Sequence, residues 1–303
     1  MVSEEIAGLR LVRLRRPGGR VAVGIVARDE VGLLETDDML AALQAGQLPQ
    51  PAERVPLLDA EVCTPAEPWN LLAPLTPPET WAAGVTYERS REARVHESHG
   101  SADVYDLVYA AERPELFLKD AAGRRMVGPG EPIAARADAT WTVPEPELAV
   151  VLGDDRSPLA VTIGNDVSSR DIEGANPLYL PQAKIYAGAC ALGPALLVPL
   201  DWGLPFDIEL RILGPDGETV FEGQTSTASM RRSIDELVEF LCRDNPVPPG
   251  TVLLTGTGIV PPDGVTLMHG QTVEIKISGL GTLRNPVAIR AVSQERKGET
   301  LRA

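Results

Sequence analysis

Within residues 206–213, Phe206, Ile208, Leu210 and Ile212 are apolar and alternate with polar Asp207, Glu209 and Arg211. Side chains two apart share a face of a strand, so the pattern predicts a half-buried β-strand. Pro215-Asp216-Gly217 then turns the chain back. Val273, Ile275 and Ile277 alternate with Glu274 and Lys276 in the same way, ahead of Gly279 and Gly281. Two β-prone runs, 9–16 and 20–27, are split by Pro17-Gly18-Gly19 and predict a hairpin. The helical period is rarer. Ile234, Leu237, Val238 and Leu241 recur at i, i+3, i+4 and i+7, with Ser233 placed to cap them. Thr36-Asp37-Asp38 opens a short helix carrying Met39, Leu40 and Leu43. Proline-rich residues 44–80 read as loop, with a boundary near Pro77-Pro78. These elements predict a β-rich α+β fold without internal repeats. A small N-terminal domain is expected over residues 1–75 and a larger domain over 76–303.

Composition narrows the classes. The formal net charge of −15 repels phosphate backbones and argues against nucleic-acid binding. No run of 18 apolar residues is present, so no membrane span is expected, and Met1-Val2-Ser3-Glu4-Glu5 lacks the basic, apolar start of a secretory leader. Cys63, Cys190 and Cys242 form no CxxC pair, and a reducing cytoplasm is the expected setting. The chain has three histidines, His96, His99 and His269, and their spacing makes no His-rich metal site. A metal here takes oxygen ligands, which favours a hard cation: magnesium, manganese or calcium.

The candidate ligands stand in residues 141–153. Glu145 and Glu147 are two apart and share a strand face, where their charges repel unless a cation, water or shared proton intervenes. Exposed glutamate pairs on strands are also common. After a Gly153-Asp154-Asp155 turn, an apolar strand over 159–164 leads to Asn165-Asp166. If the two strands pair, Asp166 returns to Glu145 and three carboxylates converge. Lys184 lies in a polar patch before the small-residue run 187–191, and alone it reads as a solvated lysine.

Together these features resemble the fumarylacetoacetate hydrolase family. The ordered set is Glu145/Glu147, the run 165–171, Lys184 before a small-residue stretch ending Leu192-Gly193-Pro194, and Thr255-Gly256-Thr257-Gly258. The resemblance covers roughly residues 80–290. It implies a rolled mixed sheet, a magnesium-like ion and a homodimer or homotetramer. It also implies Glu145, Glu147 and Asp166 as metal ligands, with Arg170, Lys184 and Thr257 in the substrate pocket. Within the family, residues 84–94, 114–120 and 164–194 are most similar to the branch that dehydrates 2-keto-3-deoxy pentonates, such as 2-keto-3-deoxy-D-arabinonate, to 2,5-dioxopentanoate. Many hydrolases of the family carry a histidine three residues after a lid tyrosine and a glutamate three later, which activate water. Here the tyrosine is Tyr87 and those positions are Ser90 and Ala93, while His96 and His99 do not fit the spacing.

A 2-oxo acid substrate can chelate the ion, which stabilises the enolate left when a C3 proton departs. Elimination then needs one group to take that proton and one to help the C4 hydroxyl leave. The resemblance points to Lys184 and Glu115 for these roles. Lys184 is expected to be pushed toward its neutral form beside the cation, and Glu115 to stay protonated beside Leu116 and Phe117. Ser90, Arg91 and Lys119 are candidates to hold hydroxyls or carboxylate. The charged stretch 88–113 is expected to close as a lid. An acylpyruvate-type hydrolase or oxaloacetate-type decarboxylase would use the same metal site, and a non-enzymatic sugar-acid sensor would leave it idle.

Overall fold

The computed structural model describes residues 6–45, 47–97 and 102–289. The first strands are β1 (Gly8–Arg15), β2 (Val21–Ala27) and β3 (Glu30–Leu33), followed by α1 (Met39–Gln44). Next come β4 (Glu53–Asp59), β5 (Thr64–Pro65), β6 (Asn70–Leu71) and β7 (Glu79–Gly84). Helices α2 (Glu88–Glu97) and α3 (Ala102–Ala110) precede β8 (Glu115–Ala121), β9 (Met126–Val127), β10 (Ile133–Ala135) and β11 (Thr142–Val143). The central hairpin is β12 (Pro146–Leu152) and β13 (Pro158–Asp166), and it leads to β14 (Ser168–Ser169), α4 (Arg170–Ala175) and α5 (Leu180–Lys184). The chain ends with β15 (Cys190–Pro199), β16 (Asp207–Leu213), β17 (Thr219–Ser226), α6 (Ile234–Cys242), β18 (Val252–Leu254), β19 (Thr272–Ile277) and β20 (Gly281–Ile289).

Among the described residues, thirteen strands form one mixed sheet in the order β5-β4-β3-β2-β1-β15-β13-β12-β18-β7-β8, with β6 beside β1 and β9 beside β15. A five-stranded sheet, β10-β20-β19-β16-β17, packs against it, and β11 pairs β14. Strand β12 explains the arrangement. Every residue of Pro146–Leu152 is buried. Leu148, Val150 and Leu152 enter a core shared with Ile208, Leu210, Ile212, Val273 and Ile275 of the smaller sheet. Ala149 and Val151 enter a second core with Leu11, Val23, Met39, Val252 and Leu254. A strand buried on both faces reads as a continuous apolar run, which is why this segment does not alternate. The β-rich α+β class and the rolled mixed sheet expected from the sequence are both present.

Local expectations fare unevenly. The 9–27 hairpin forms as β1 and β2, and β16 alternates outward and inward as its sequence does. Asp38 caps α1 by accepting from Ala41 N at 3.0 Å, and Ser233 caps α6 by accepting from Glu236 N at 3.1 Å. Residues 44–80 are not all loop: β4 pairs antiparallel with β3, burying Val55 and Leu57. Pro56 takes part through its carbonyl, which accepts from Ala66 N at 2.8 Å, so proline did not exclude the strand. The expected boundary at 75/76 falls between β6 and β7, and the sheet crosses it where β1 pairs β15, Leu11 opposite Leu196. No helix among the described residues is long and apolar enough to cross a membrane.

Candidate active site

The β12–β13 hairpin brings the acidic residues together. Glu147 lies opposite Gly164, and Asp166 N donates to Glu145 O at 2.9 Å. Glu145, Glu147 and Asp166 are all buried, and one carboxylate oxygen from each lies within 4.8 Å of the others. Burial, followed by the charges of Asp166 and Glu145, pushes the Glu147 carboxyl well above the usual range. Three buried oxygen donors that repel one another fit a hard divalent cation, which needs such ligands and removes the repulsion.

Cations close this cluster from the other side. Lys184 Nζ donates to Ser168 Oγ at 2.6 Å, Glu145 Oε2 at 2.9 Å and Asp166 Oδ2 at 3.0 Å. It is buried, not solvated, because α5 directs it inward just ahead of the turn into β15. The shift toward its neutral form expected from sequence is reversed. Burial disfavours its charge, but Asp166, Glu145 and Glu173 outweigh that and hold the ammonium above the usual lysine range. Burial also opposes ionisation of Glu145, yet Lys184 and Arg94 bring its pKa down to about 2. Arg170, the first residue of α4, donates to Glu145 Oε1 at 3.1 Å and lies over the Trp141 ring. Lys119, expected to hold substrate, does not line the neighbouring cavity: it pairs closely with Asp166 Oδ1 and donates to Val167 O at 2.9 Å, bracing Asp166.

A cavity opens beside the cluster, walled by Gly84, Ser90, Glu115, Phe117, Lys184 and Thr257. Glu115 begins β8 opposite Gly84. Part of the residue faces the opening, but its carboxyl is enclosed, and burial, aided by the charge of Glu173, pushes it up to about 7. The shift has the direction expected from sequence. Ser90 Oγ donates to Tyr87 O at 2.7 Å and accepts from Tyr87 N. Thr257 is buried on the wall, and its Oγ1 accepts from Ile259 N at 3.2 Å. The adjoining glycine turn already serves an anion of the protein's own, since Gly256 N donates to Glu147 Oε2 at 2.6 Å.

Arg91 does not reach the cavity. It pairs with Glu88 and Asp106 and covers the Tyr109 ring at 5.2 Å. The helical turn explains the correction: Ser90 and Arg94 are four apart and share the inner face of α2, while Arg91 is rotated toward α3. Arg94 bridges Glu145 Oε1 at 2.9 Å and Glu173 Oε2 at 3.2 Å. Neither Arg94 nor Glu173 was singled out from sequence, although each follows a named residue at helical spacing, Ser90 and Arg170. Ala93 and His96 line an outer groove with Asp263, and His96 Nε2 is 3.4 Å from Asp263 Oδ2. His99 lies outside the described residues.

Residues 84–288 match the model of the fumarylacetoacetate (FAA) hydrolase C-terminal family. The chain is 41% identical over 291 residues to the 2-dehydro-3-deoxy-D-arabinonate dehydratase of Saccharolobus solfataricus, covering 93% of this chain and 97% of that one. It is 48% identical over 215 residues to a probable 2-keto-3-deoxyxylonate dehydratase of Haloferax volcanii, covering 71% and 73%. Among solved structures, a 2-keto-3-deoxy-D-arabinonate dehydratase complexed with magnesium and 2,5-dioxopentanoate superposes with a TM-score of 0.81 at 39% identity, over 93% of this chain and 99% of that one.

Proposed function

The chain belongs to the fumarylacetoacetate hydrolase family, and from that premise we propose that it is a magnesium-dependent dehydratase. It removes water from a 2-keto-3-deoxy pentonate such as 2-keto-3-deoxy-D-arabinonate and yields 2,5-dioxopentanoate; one relative is named a dehydratase of that acid, and a solved relative is complexed with magnesium and 2,5-dioxopentanoate. One observation carries the reading. A single cavity is lined by Glu145 and Asp166 of the carboxylate triad, by Lys184 and by Glu115, and Ser90 stands on its wall at the position where the sequence resemblance puts the hydrolases' histidine.

Glu145, Glu147 and Asp166 are the residues to hold the ion. When bound, a divalent cation offsets their charge and stabilises negative charge developing on the substrate's C2 oxygen. With Glu145 and Asp166, whose charges hold its ammonium, taken up in ligation, Lys184 can lose its proton and then accept the one from C3. Glu115, protonated to about pH 7, gives its proton to the departing C4 hydroxyl. Arg170 and Ser90 orient the chain of the substrate, and Thr257 shapes the opposite wall. Helices α2 and α3 act as the lid over this cavity. Residues 1–75 serve as an accessory N-terminal domain, and the protein is a homodimer or homotetramer of the cytoplasm, where its free thiols stay reduced.

Mass spectrometry tests the chemistry. Incubated with magnesium and a panel of 2-keto-3-deoxy acids and acylpyruvates, the protein should form a product lighter by one water from the pentonates. Faster release of pyruvate plus a second acid from an acylpyruvate would replace this reading with the hydrolase. Light scattering reporting a single chain across a wide concentration range would remove the oligomer.

A further inference from the structure

The proposed product demands more than loss of water. Departure of a C3 proton and the C4 hydroxyl leaves 5-hydroxy-2-oxopent-3-enoate, in which C5 is still an alcohol carbon. 2,5-Dioxopentanoate carries an aldehyde there. The two are isomers, so no oxidant is needed. A base takes a proton from C5, and the electron pair moves through C4 and C3 onto the C2 oxygen. A proton is then added at C3 and the C2 carbonyl re-forms, leaving a C4–C5 enol. That enol loses its hydroxyl proton and gains one at C4. Each proton removed is matched by one returned, and the C–H bond at C5 must break at the end of the substrate away from its 2-oxo acid group.

The residues Lys184, Glu145 and Asp166 crowd the ion-binding end. The carboxyl groups on the cavity wall outside the proposed ligand set are Glu115 and Glu173. Glu173 lies on α4, is 3% exposed and lines the cavity. Arg94 spans the gap, with one terminal nitrogen 2.9 Å from Glu145 and the other 3.2 Å from Glu173. Glu173 therefore stands a guanidinium's breadth beyond the ligand cluster. The same cavity is lined by Glu145 and Asp166 and by Glu173, so a substrate anchored at the first two through its carboxylate and C2 oxygen has Glu173 on the wall available to its far end. Glu115 and Glu173 line the same cavity, and the charge of Glu173 helps to raise the Glu115 carboxyl.

We infer that Glu173, positioned by Arg94, is a third proton-transfer group of the reaction, beside Lys184 and Glu115, and acts at C5 after water has left. Glu115 then serves the departing hydroxyl and Glu173 the isomerisation that makes the aldehyde. The inference rests on the dehydratase reading and adds a residue and a step to it.

Two signals separate the stages: ultraviolet absorbance of the conjugated enone, and aldehyde captured by a hydrazine reagent. With magnesium and 2-keto-3-deoxy-D-arabinonate, the wild-type protein should release aldehyde with little enone. Glu173→Gln should slow aldehyde formation by roughly 100- to 10,000-fold, the usual worth of a proton-transfer group, so that enone accumulates as the main product. Calorimetric magnesium titration of the variant checks that its ion site is intact. Independently of any variant, substrate deuterated at C5 should slow aldehyde formation in a single wild-type turnover. Aldehyde formation that keeps pace with water loss in Glu173→Gln, or that is indifferent to C5 deuteration, overturns the inference alone. A wild-type protein forming neither product overturns the dehydratase reading and this inference with it.

Discussion

Gly84 offers a way to move a catalytic carboxyl without touching it. It ends β7 directly opposite Glu115. A Cβ added at Gly84 would lie 2.1 Å from Glu115 Oε2, 2.4 Å from its Cδ and 3.0 Å from its Oε1. All three contacts are with the far end of one flexible side chain, and Gly84 is not among the glycines with positive φ. Alanine is thus compatible with the backbone, and the lower entropy of the unfolded chain offsets part of the crowding by about 0.4–1 kcal/mol. The fold should barely register Gly84→Ala, but the Glu115 carboxyl has to leave its place. If Glu115 is the acid, turnover falls toward that of Glu115→Gln, by about 100- to 10,000-fold, or roughly 3–5 kcal/mol of barrier. The assay is kcat for Gly84→Ala, Glu115→Gln and the double variant, with thermal unfolding alongside. Because both changes remove the same interaction, the double variant should be no slower than the slower single one. Wild-type kcat in Gly84→Ala, or losses that simply multiply in the double variant, would refute the reasoning.

Lys184→Met should still bind magnesium, and more tightly, because it removes a positive charge bonded to Glu145 and Asp166, while turnover drops about 100- to 10,000-fold; calorimetry and steady-state rates measure the two. The raised pKa of Glu115 keeps the acid protonated to neutrality, so kcat/KM should fall as pH rises through about 7, and Glu115→Gln should lose that limb of the profile. Glu147→Gln should weaken magnesium by roughly 100-fold or more, beyond the 10- to 100-fold typical of losing a residue behind the ligands, with circular dichroism unchanged. In the wild type, affinity should also weaken with falling pH, because Glu147 holds its proton to unusually high pH and competes with the ion. Amide exchange in α2 should slow when magnesium and a 2-oxo acid are both present, and equal exchange with and without them would remove its role as a lid.

The site was most legible where its residues lie on regular elements close together in sequence. Glu145 and Glu147 obey the two-residue period, and the turn at 153–155 returns Asp166 to them. Residues whose neighbours come from afar were opaque. Nothing around Lys184 in sequence signals that Glu145 and Ser168 surround it, so both its burial and the sign of its shift were missed. Arg91 and Arg94 look alike in a charged helix, and only the packing of α2 against α3 and α4 decides which one faces inward. In the fold, alternating β16 and the capped α6 were plain, whereas β4 was hidden because its Val55 and Leu57 stand among prolines.

The ligand hairpin has a consequence for how the protein would respond to losing its ion. Glu147 and Asp166 come from one pair of adjacent strands, with Glu145 just ahead of the first, and their pairing runs unbroken from Pro146 to Val151. An ion there closes almost no loop that the hairpin has not closed itself, so it gains little of the chain-entropy advantage of a tie between distant segments. The hairpin is also clamped between two apolar cores. The metal centre is in this sense a passenger on a scaffold that stands without it. Stripping the ion should silence the protein without unfolding it, the melting temperature falling only by what the ion's binding to the folded state contributes.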